Sequence, residues 1–320
     1  MDLMQILSII IPTAIFAAAP LILTALGGVF SERSGVVNIG LEGLMMMGAF
    51  VGAVFTYFGE TWGFGAASPW FSFVIAIILG ALFSLLHAVA SITFRADQVV
   101  SGVALNFLAA GLTIFLVKKI FEAGQTPYIT HRIFRGDVPF LSEIPIIGPL
   151  LFTKAYITSY LAIALAFVVW FVIYKTSFGL RLRSVGEHPM AADTMGISVT
   201  KMRYVAVMLS GAFAGLGGAV YATSISGNFT HATIAGQGFM ALAAMIFGKW
   251  HPIGALGAAL FFGLAQSLSI TGQQIPLLKE IPDVFLLISP YVLTILALAG
   301  FVGRADAPKA IGKPYEKGKR

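Results

Sequence analysis

Glu42 and Asn38 are the residues of this sequence best placed to do chemistry. They stand in a glycine-broken stretch, Gly27 to Gly48, between two apolar runs. A carboxylate and an amide there could hydrogen-bond a polar solute or secure a broken helix. In lipid no water satisfies such groups, so they face a cavity or a protein partner and mark a candidate functional site. A diluted copy recurs far along the chain. Ile39-Gly40-Leu41-Glu42-Gly43-Leu44-Met45 reads against Ile234-Ala235-Gly236-Gln237-Gly238-Phe239-Met240, and Leu26-Gly27-Gly28 against Leu216-Gly217-Gly218. Two related halves, each with a broken segment, form the pattern of a transporter.

Other chemistries find little material. There is no cysteine, hence no disulfide, haem or thiolate metal site. The five histidines are scattered without metal-ligand spacing. Ser84 and His87 lie three apart on one helix face, a poor nucleophile and base without a third group; His87 is expected to bond a neighbouring helix. No metal site and no catalytic residue is expected. The chain is 58% hydrophobic and 11% charged, with a mean hydropathy of +0.90. A soluble domain carries about 25% charge. The net charge of +6 is not a nucleic-acid signal, because the basic residues sit in loops beside apolar segments.

The elements that must position these residues are spanning helices of about 20 apolar residues each. Nine segments qualify: 5–29, 44–58, 70–94, 98–118, 156–174, 204–223, 238–249, 253–270 and 283–302. The fold class is an all-α polytopic membrane protein of about nine helices, within a range of eight to ten. Segments 44–58 and 238–249 are short, and each follows a copy of the motif, which can complete the helix inside the membrane. With the C-terminal tail inside, most Lys and Arg fall on the cytoplasmic side, as membrane insertion prefers. Arg33, Arg95, Arg181, Arg183, Lys201, Arg203 and Lys249 are among them; Lys118, Lys119, Arg132, Arg135, Lys154 and Lys279 lie outside. The N-terminus is then outside. A tenth crossing arises if 28–43 spans on its own.

Helices one to four match helices six to nine, with the fifth as spacer. Leu79 to His87 also resembles Gly257 to Ala265. An odd number of helices separates the two starts, so the halves run in opposite directions. That is an inverted repeat, which places a substrate path at the repeat interface near the midplane. The whole chain, 1–320, reads as one permease domain: repeat one at about 5–118, spacer 156–174, a cytoplasmic loop 175–203, repeat two 204–303 and a basic tail 304–320.

The cytoplasmic loop carries the second informative segment. Pro189 suits the first turn of a helix, Met190 to Met195 can form one short helix, and Gly196 suits its C-cap. Apolar residues facing the cytosol within a charged rim mark an interaction site; a solvated turn whose arginines only enforce topology is the other reading.

With both segments in view, the sequence resembles membrane subunits of ABC importers in the ribose and branched-chain amino acid permease superfamily. It is most similar to the shorter permease of bacterial nucleoside importers that work with a basic membrane protein-type lipoprotein receptor. The resemblance runs from about Pro20 to Gly303. It is carried by Glu32 to Gly43 and by Gly179 to Pro189 with Ala191-Ala192 and Gly196-Ile197. Ser184 departs from the alanine common there. The resemblance implies a multi-pass protein of the bacterial plasma membrane. Its partners would be an ABC ATPase, a second homologous permease in a heterodimer, an extracellular lipoprotein receptor and the lipid bilayer. It also implies that 184–197 is the coupling helix, with Glu187, Met190, Asp193 and Met195 against the ATPase and Arg181 and Arg183 at the rim. No GxxxxGK[ST] loop is present, so ATP and Mg²⁺ belong to the partner ATPase, and this chain needs no cofactor of its own and is no enzyme.

A nucleoside is flat, neutral and rich in donors and acceptors, so its site needs apolar walls and a few placed polar groups. The candidates are Asn38, Glu42, Asn106, Thr233 and Gln237 for hydrogen bonds, with Met45 and Phe239 as wall. Two structural roles stand beside the functional one for Glu42: an ion pair with Arg33, or a helix N-cap. Gly48-xxx-Gly52 and Gly211-xxx-Gly215 are small-residue patterns suited to helix packing. The rival functions are an ion-coupled secondary transporter, an ABC permease for a simple sugar, and an intramembrane enzyme. The first would need intramembrane carboxylates, and Glu42 alone qualifies.

Overall fold

The structure is a computed structural model that describes residues 3–153, 155–275 and 307–318, together with 281–282, 284–286, 288–289 and 292. Among the residues up to 275, ten α-helices follow in chain order: α1 Leu3–Arg33, α2 Leu41–Thr61, α3 Ser68–Ala88, α4 Gln98–Phe121, α5 Ile157–Lys175, α6 Ser177–Glu187, α7 Pro189–Thr194, α8 Val199–Val220, α9 Gln237–Phe247 and α10 Pro252–Thr271. π-helical turns extend α3 through Thr93 and α8 through Ser226. Among the described residues there is no strand, only two isolated bridges, Gln125 with Thr230 and Gly136 with Ala155.

Seven of these helices are long and apolar enough to cross a membrane, and α9 is a shorter apolar helix. They coincide with eight of the nine expected spans; most of the ninth, 283–302, lies outside the described residues. Starts are fixed by local chemistry. Asp97 begins α4 by accepting the N–H groups of Val99 and Val100 at 2.8 and 3.0 Å, and Pro69 and Pro252 occupy first-turn positions where no N–H is needed. Two starts come earlier than the hydropathy suggests. α2 begins at Leu41, which puts Glu42 inside its first turn. α8 begins at Val199, behind the cap Ser198, so Lys201 and Arg203 are helical, not loop, residues.

α1, α2 and α8 are the most enclosed helices, and α4 is the least. Glycine lets them meet backbone to backbone. A Cβ on Gly48 would lie 2.0 Å from the Gly215 carbonyl, and one on Gly218 would lie 1.9 Å from the Met45 carbonyl. Gly211 and Gly80 meet in the same way. The small-residue patterns thus serve packing inside the chain. α1 packs on α10, and α8 packs on α3.

The two ends of the bundle hold different residues. Arg33, Gly186, Trp250 and Ala310 gather at one end. At the other, Glu60 accepts the N–H of His131 at 2.6 Å, and Ile129 bonds Gly227 at 2.9 Å. This is the division that the Lys and Arg distribution predicts.

Candidate functional site

Between α1 and α2 the chain leaves helical form for residues 34–40 inside the protein. Backbone polar groups there need partners, because lipid offers none. Side chains from three other helices supply them. Gln98 Oε1 accepts the Val37 N–H at 2.7 Å, and a His87 ring nitrogen lies 2.9 Å from the Val37 carbonyl. Asn106 accepts the Gly43 N–H at 2.7 Å and donates to the Ile39 carbonyl at 3.1 Å. Arg203 Nε donates to the Ser34 carbonyl at 3.2 Å. Gln98 and Arg203 give no signal of this role in sequence, since each stands beside charged residues at the head of a helix.

Glu42 joins the two copies of the motif. Its carboxylate accepts the backbone N–H groups of Gly236 and Gly238, each at 2.6 Å, and of Phe239 at 3.3 Å. These are the unpaired donors at the start of α9, whose own cap Gly236 has no side chain to offer. A carboxylate there also meets the positive end of the helix dipole. Of the roles open in the sequence, the cap is realised, with the carboxylate donated by a different helix. The ion pair with Arg33 is not formed. Arg33 donates instead to the carbonyls of Trp250 at 2.8 Å and Lys249 at 3.2 Å, and to the Tyr174 hydroxyl at 3.3 Å. Burial and the Arg33 charge hold the nearby His251 below the usual imidazole range.

The remaining candidates separate by position. Gln237, in the first turn of α9, accepts from Gln266 Nε2 at 3.2 Å and is half-buried. Phe239 is 47% exposed. With Glu42 these two form one cluster at the head of α9. Asn38 is fully buried and donates to Ser210 Oγ at 2.9 Å, which leaves its Oδ1 without a partner among the described residues. Met45 is fully buried against α8. Thr233 folds back on Thr230 at 2.7 Å in the turn that precedes α9.

At the opposite side of the broken segment lies the expected short helix. α7 runs from Pro189 at its first turn to Thr194, and Gly196 follows with φ +81°. That left-handed conformation suits glycine and ends the helix. α6 precedes it, in the stretch that hydropathy predicts as loop. Its signals are Thr176, which accepts the Gly179 N–H at 3.3 Å, and the spacing of Leu182 and Val185, both buried. Ala192 faces inward with them, whereas Leu180 and Met195 are 62% and 80% exposed. Arg181 is exposed; Arg183 turns back to lie 4.7 Å over the Tyr174 ring. Glu187 and Met190 line a cleft of about 770 Å³ whose other wall is residues 309–316. Asp193 is half-buried at the end of α7.

A bundle of membrane-crossing helices, interrupted by a polar broken segment and a capped half-helix, defines a membrane transport subunit. Residues 10–298 match the family described as branched-chain amino acid transport system / permease component, and the chain belongs to that family. It is 65% identical, over the full length of both chains, to the guanosine ABC transporter permease protein NupQ of Bacillus subtilis. It is 52% identical, again over both full lengths, to the nucleoside ABC transporter permease protein NupC of Lactococcus lactis. A more distant relative is the guanosine ABC transporter permease protein NupP of Bacillus subtilis, 27% identical over 82% of this chain and 74% of that one. The chain is therefore an ABC transporter permease subunit and not an enzyme; ATP hydrolysis belongs to a separate ATPase subunit.

Proposed function

We propose that this permease forms, with a second homologous permease, the path by which a nucleoside enters a bacterial cell across the plasma membrane. The observation that carries the substrate class is the end-to-end 65% identity to a guanosine permease. The pairing is supported by the existence, in Bacillus subtilis, of a second and more distant guanosine permease. An extracellular receptor delivers the nucleoside, and a cytoplasmic ATPase holding ATP and Mg²⁺ drives the cycle.

The packing supports two inverted halves, 5–118 and 204–303, around the spacer 156–174. α1 on α10 is the counterpart of α8 on α3. In this reading Glu42 fixes the head of α9, and Gln237 and Phe239 present an amide and a ring to the path. Asn38, Asn106, Met45 and Thr233 hold the walls behind them. The loop 175–203 receives the ATPase through α7, with Met195 and Arg181 outermost and Glu187, Met190, Asp193 and Arg183 behind, and the tail 304–320 stays cytoplasmic.

The test is reconstitution of this chain with its ATPase, partner permease and receptor in sealed vesicles. Labelled guanosine should accumulate only with ATP, and unlabelled nucleosides should compete while ribose and leucine do not. Competition by ribose would favour the sugar reading. Accumulation driven by a proton or sodium gradient, with this chain alone, would favour a secondary transporter.

A further inference from the structure

The described C-terminal segment, 307–318, lies across the cytoplasmic end and touches α6, the broken segment, α8 and the turn after α3. The Ala310 N–H bonds the Gly186 carbonyl, at the end of α6, at 2.9 Å. The Gly312 N–H bonds the Gly35 carbonyl, in the broken segment, at 3.1 Å. Arg203 Nη1, on α8, donates to the Lys313 carbonyl at 3.0 Å while its Nε donates to Ser34. Glu316 pairs with Arg95, after α3, at 3.1 Å. These contacts are close: Ala310 is 5% exposed, and Arg203 is 1% exposed. Gly35 has φ +89°, and a Cβ there would meet Arg203 at 2.9 Å and the Ala310 carbonyl at 3.1 Å.

Arg203 is the key to the junction. A buried guanidinium is retained against its desolvation cost only where several acceptors converge on it. Through Nε and Nη1 its planar fork grips two backbone carbonyls, one from the broken segment and one from the tail, and Nη2 has no partner among the described residues. Seven residues beyond Gly35 stands Glu42, the cap of α9. The loop that would receive the ATPase and the broken segment that leads to the cap are therefore joined twice, by direct contact of Gly186 with Arg33 and Gly35 and through one strip of tail.

We propose that residues 307–318, locked by Arg203, are a coupling strap: they transmit displacement of α6 and α7 to the broken segment, and so to the head of α9. Arg203 is a positioning residue that touches no substrate. The proposal rests on the reading of α7 as the ATPase-docking helix. Gly186 already packs against Arg33 and Gly35 directly, and the bonds that the Gly186 and Gly35 carbonyls accept from Ala310 and Gly312 add a second link, carried by the tail.

The experiment uses the complete reconstituted complex and measures guanosine taken up per ATP hydrolysed. Two variants are compared with the native chain: removal of 307–320, and Arg203→Gln in the full-length chain. Both should co-purify with the ATPase and hydrolyse ATP, yet uptake per ATP should fall about tenfold, the scale of losing a hydrogen bond to a charged group. Arg203→Lys, which keeps the charge and loses the fork, should fall in between. A single cysteine at Lys313, in a chain that has none, reports strap release: Arg203→Gln should speed its labelling in inverted vesicles. Should the truncated chain fail to accumulate, Arg203→Lys decides, because faster labelling with an unchanged ratio overturns the strap. Loss of ATPase association on truncation would overturn it too, making the tail a docking element. Absence of guanosine uptake by the native complex is a separate result, and it counts against the substrate reading.

Discussion

The Glu42 carboxylate accepts the backbone N–H of Gly238 at 2.6 Å, across 196 residues of sequence. Gly238 in turn admits α2, since a Cβ on it would lie 2.4 Å from the Glu42 Cα. The acid comes from the first copy of the motif and the glycine that admits it from the second, where Gln237 stands in the place of Glu42. The half-helix α9 begins where it does because a second helix caps it.

Replacing Glu42 tests that cap. Glu42→Leu leaves the N–H groups of Gly236 and Gly238 buried without acceptors, each at a cost of about 1–3 kcal/mol. Uptake by the reconstituted complex should be abolished. Glu42→Gln keeps one acceptor oxygen and should weaken uptake. The double change Glu42→Leu with Arg33→Leu should not recover transport, because Arg33 bonds Trp250 and Lys249, not Glu42. Recovery would return Glu42 to an ion-pair role.

Close packing of α2 on α8 sets a second expectation. Gly218→Val pushes a branched side chain at the Met45 carbonyl, which is 1.9 Å from the ideal Cβ position. Overpacking costs about 1–3 kcal/mol and more where only backbone can yield. The midpoint of thermal unfolding in detergent should drop clearly for Gly218→Val. Gly257→Ala, which meets nothing within 4 Å, is the control and should leave it in place.

Breaking α7 should separate assembly in the membrane from coupling. Ala192→Pro removes the bond from the Ala192 N–H to the His188 carbonyl, 3.0 Å long, at a local cost of about 3 kcal/mol. Membrane insertion should persist while substrate-stimulated ATP hydrolysis is lost. Normal coupled transport in this variant would rule out α7 as the docking helix.

Thiol labelling checks the topology. Single cysteines at Gly65 and Arg135 should react with an impermeant reagent added to sealed cells, and those at Ser184 and Lys313 should not; Gly227, buried beneath Arg132, is no reporter. The structure sets Gly227 and Ser184 at opposite ends: Gly227 bonds Ile129, and Ser184 lies in α6 beside Gly186 and Arg33. Labelling at Ser184 would turn the orientation over.

Eight of the nine expected spans were legible in the chain alone, because a bilayer demands about 20 apolar residues per crossing and this chain supplies them in separated runs. It also determined α7, whose Pro189 and Gly196 are local signals that no tertiary contact overrides. The likeness of Ile39 to Met45 and Ile234 to Met240 was legible for the same reason: it is a property of order along the chain. What occupies the hydrogen bonds of Glu42 was not, since Arg33 is near in sequence and Gly238 is not. Arg203 shows the same limit. In sequence it stands among cytoplasmic charges at the head of a helix; in the fold it is buried between Ser34 and Lys313. Polar groups deep in a bundle choose partners by proximity in space, under the requirement that every buried donor and acceptor be met. Only the packing of α1, α2 and α8, set by how closely their glycines approach, decides which groups those are.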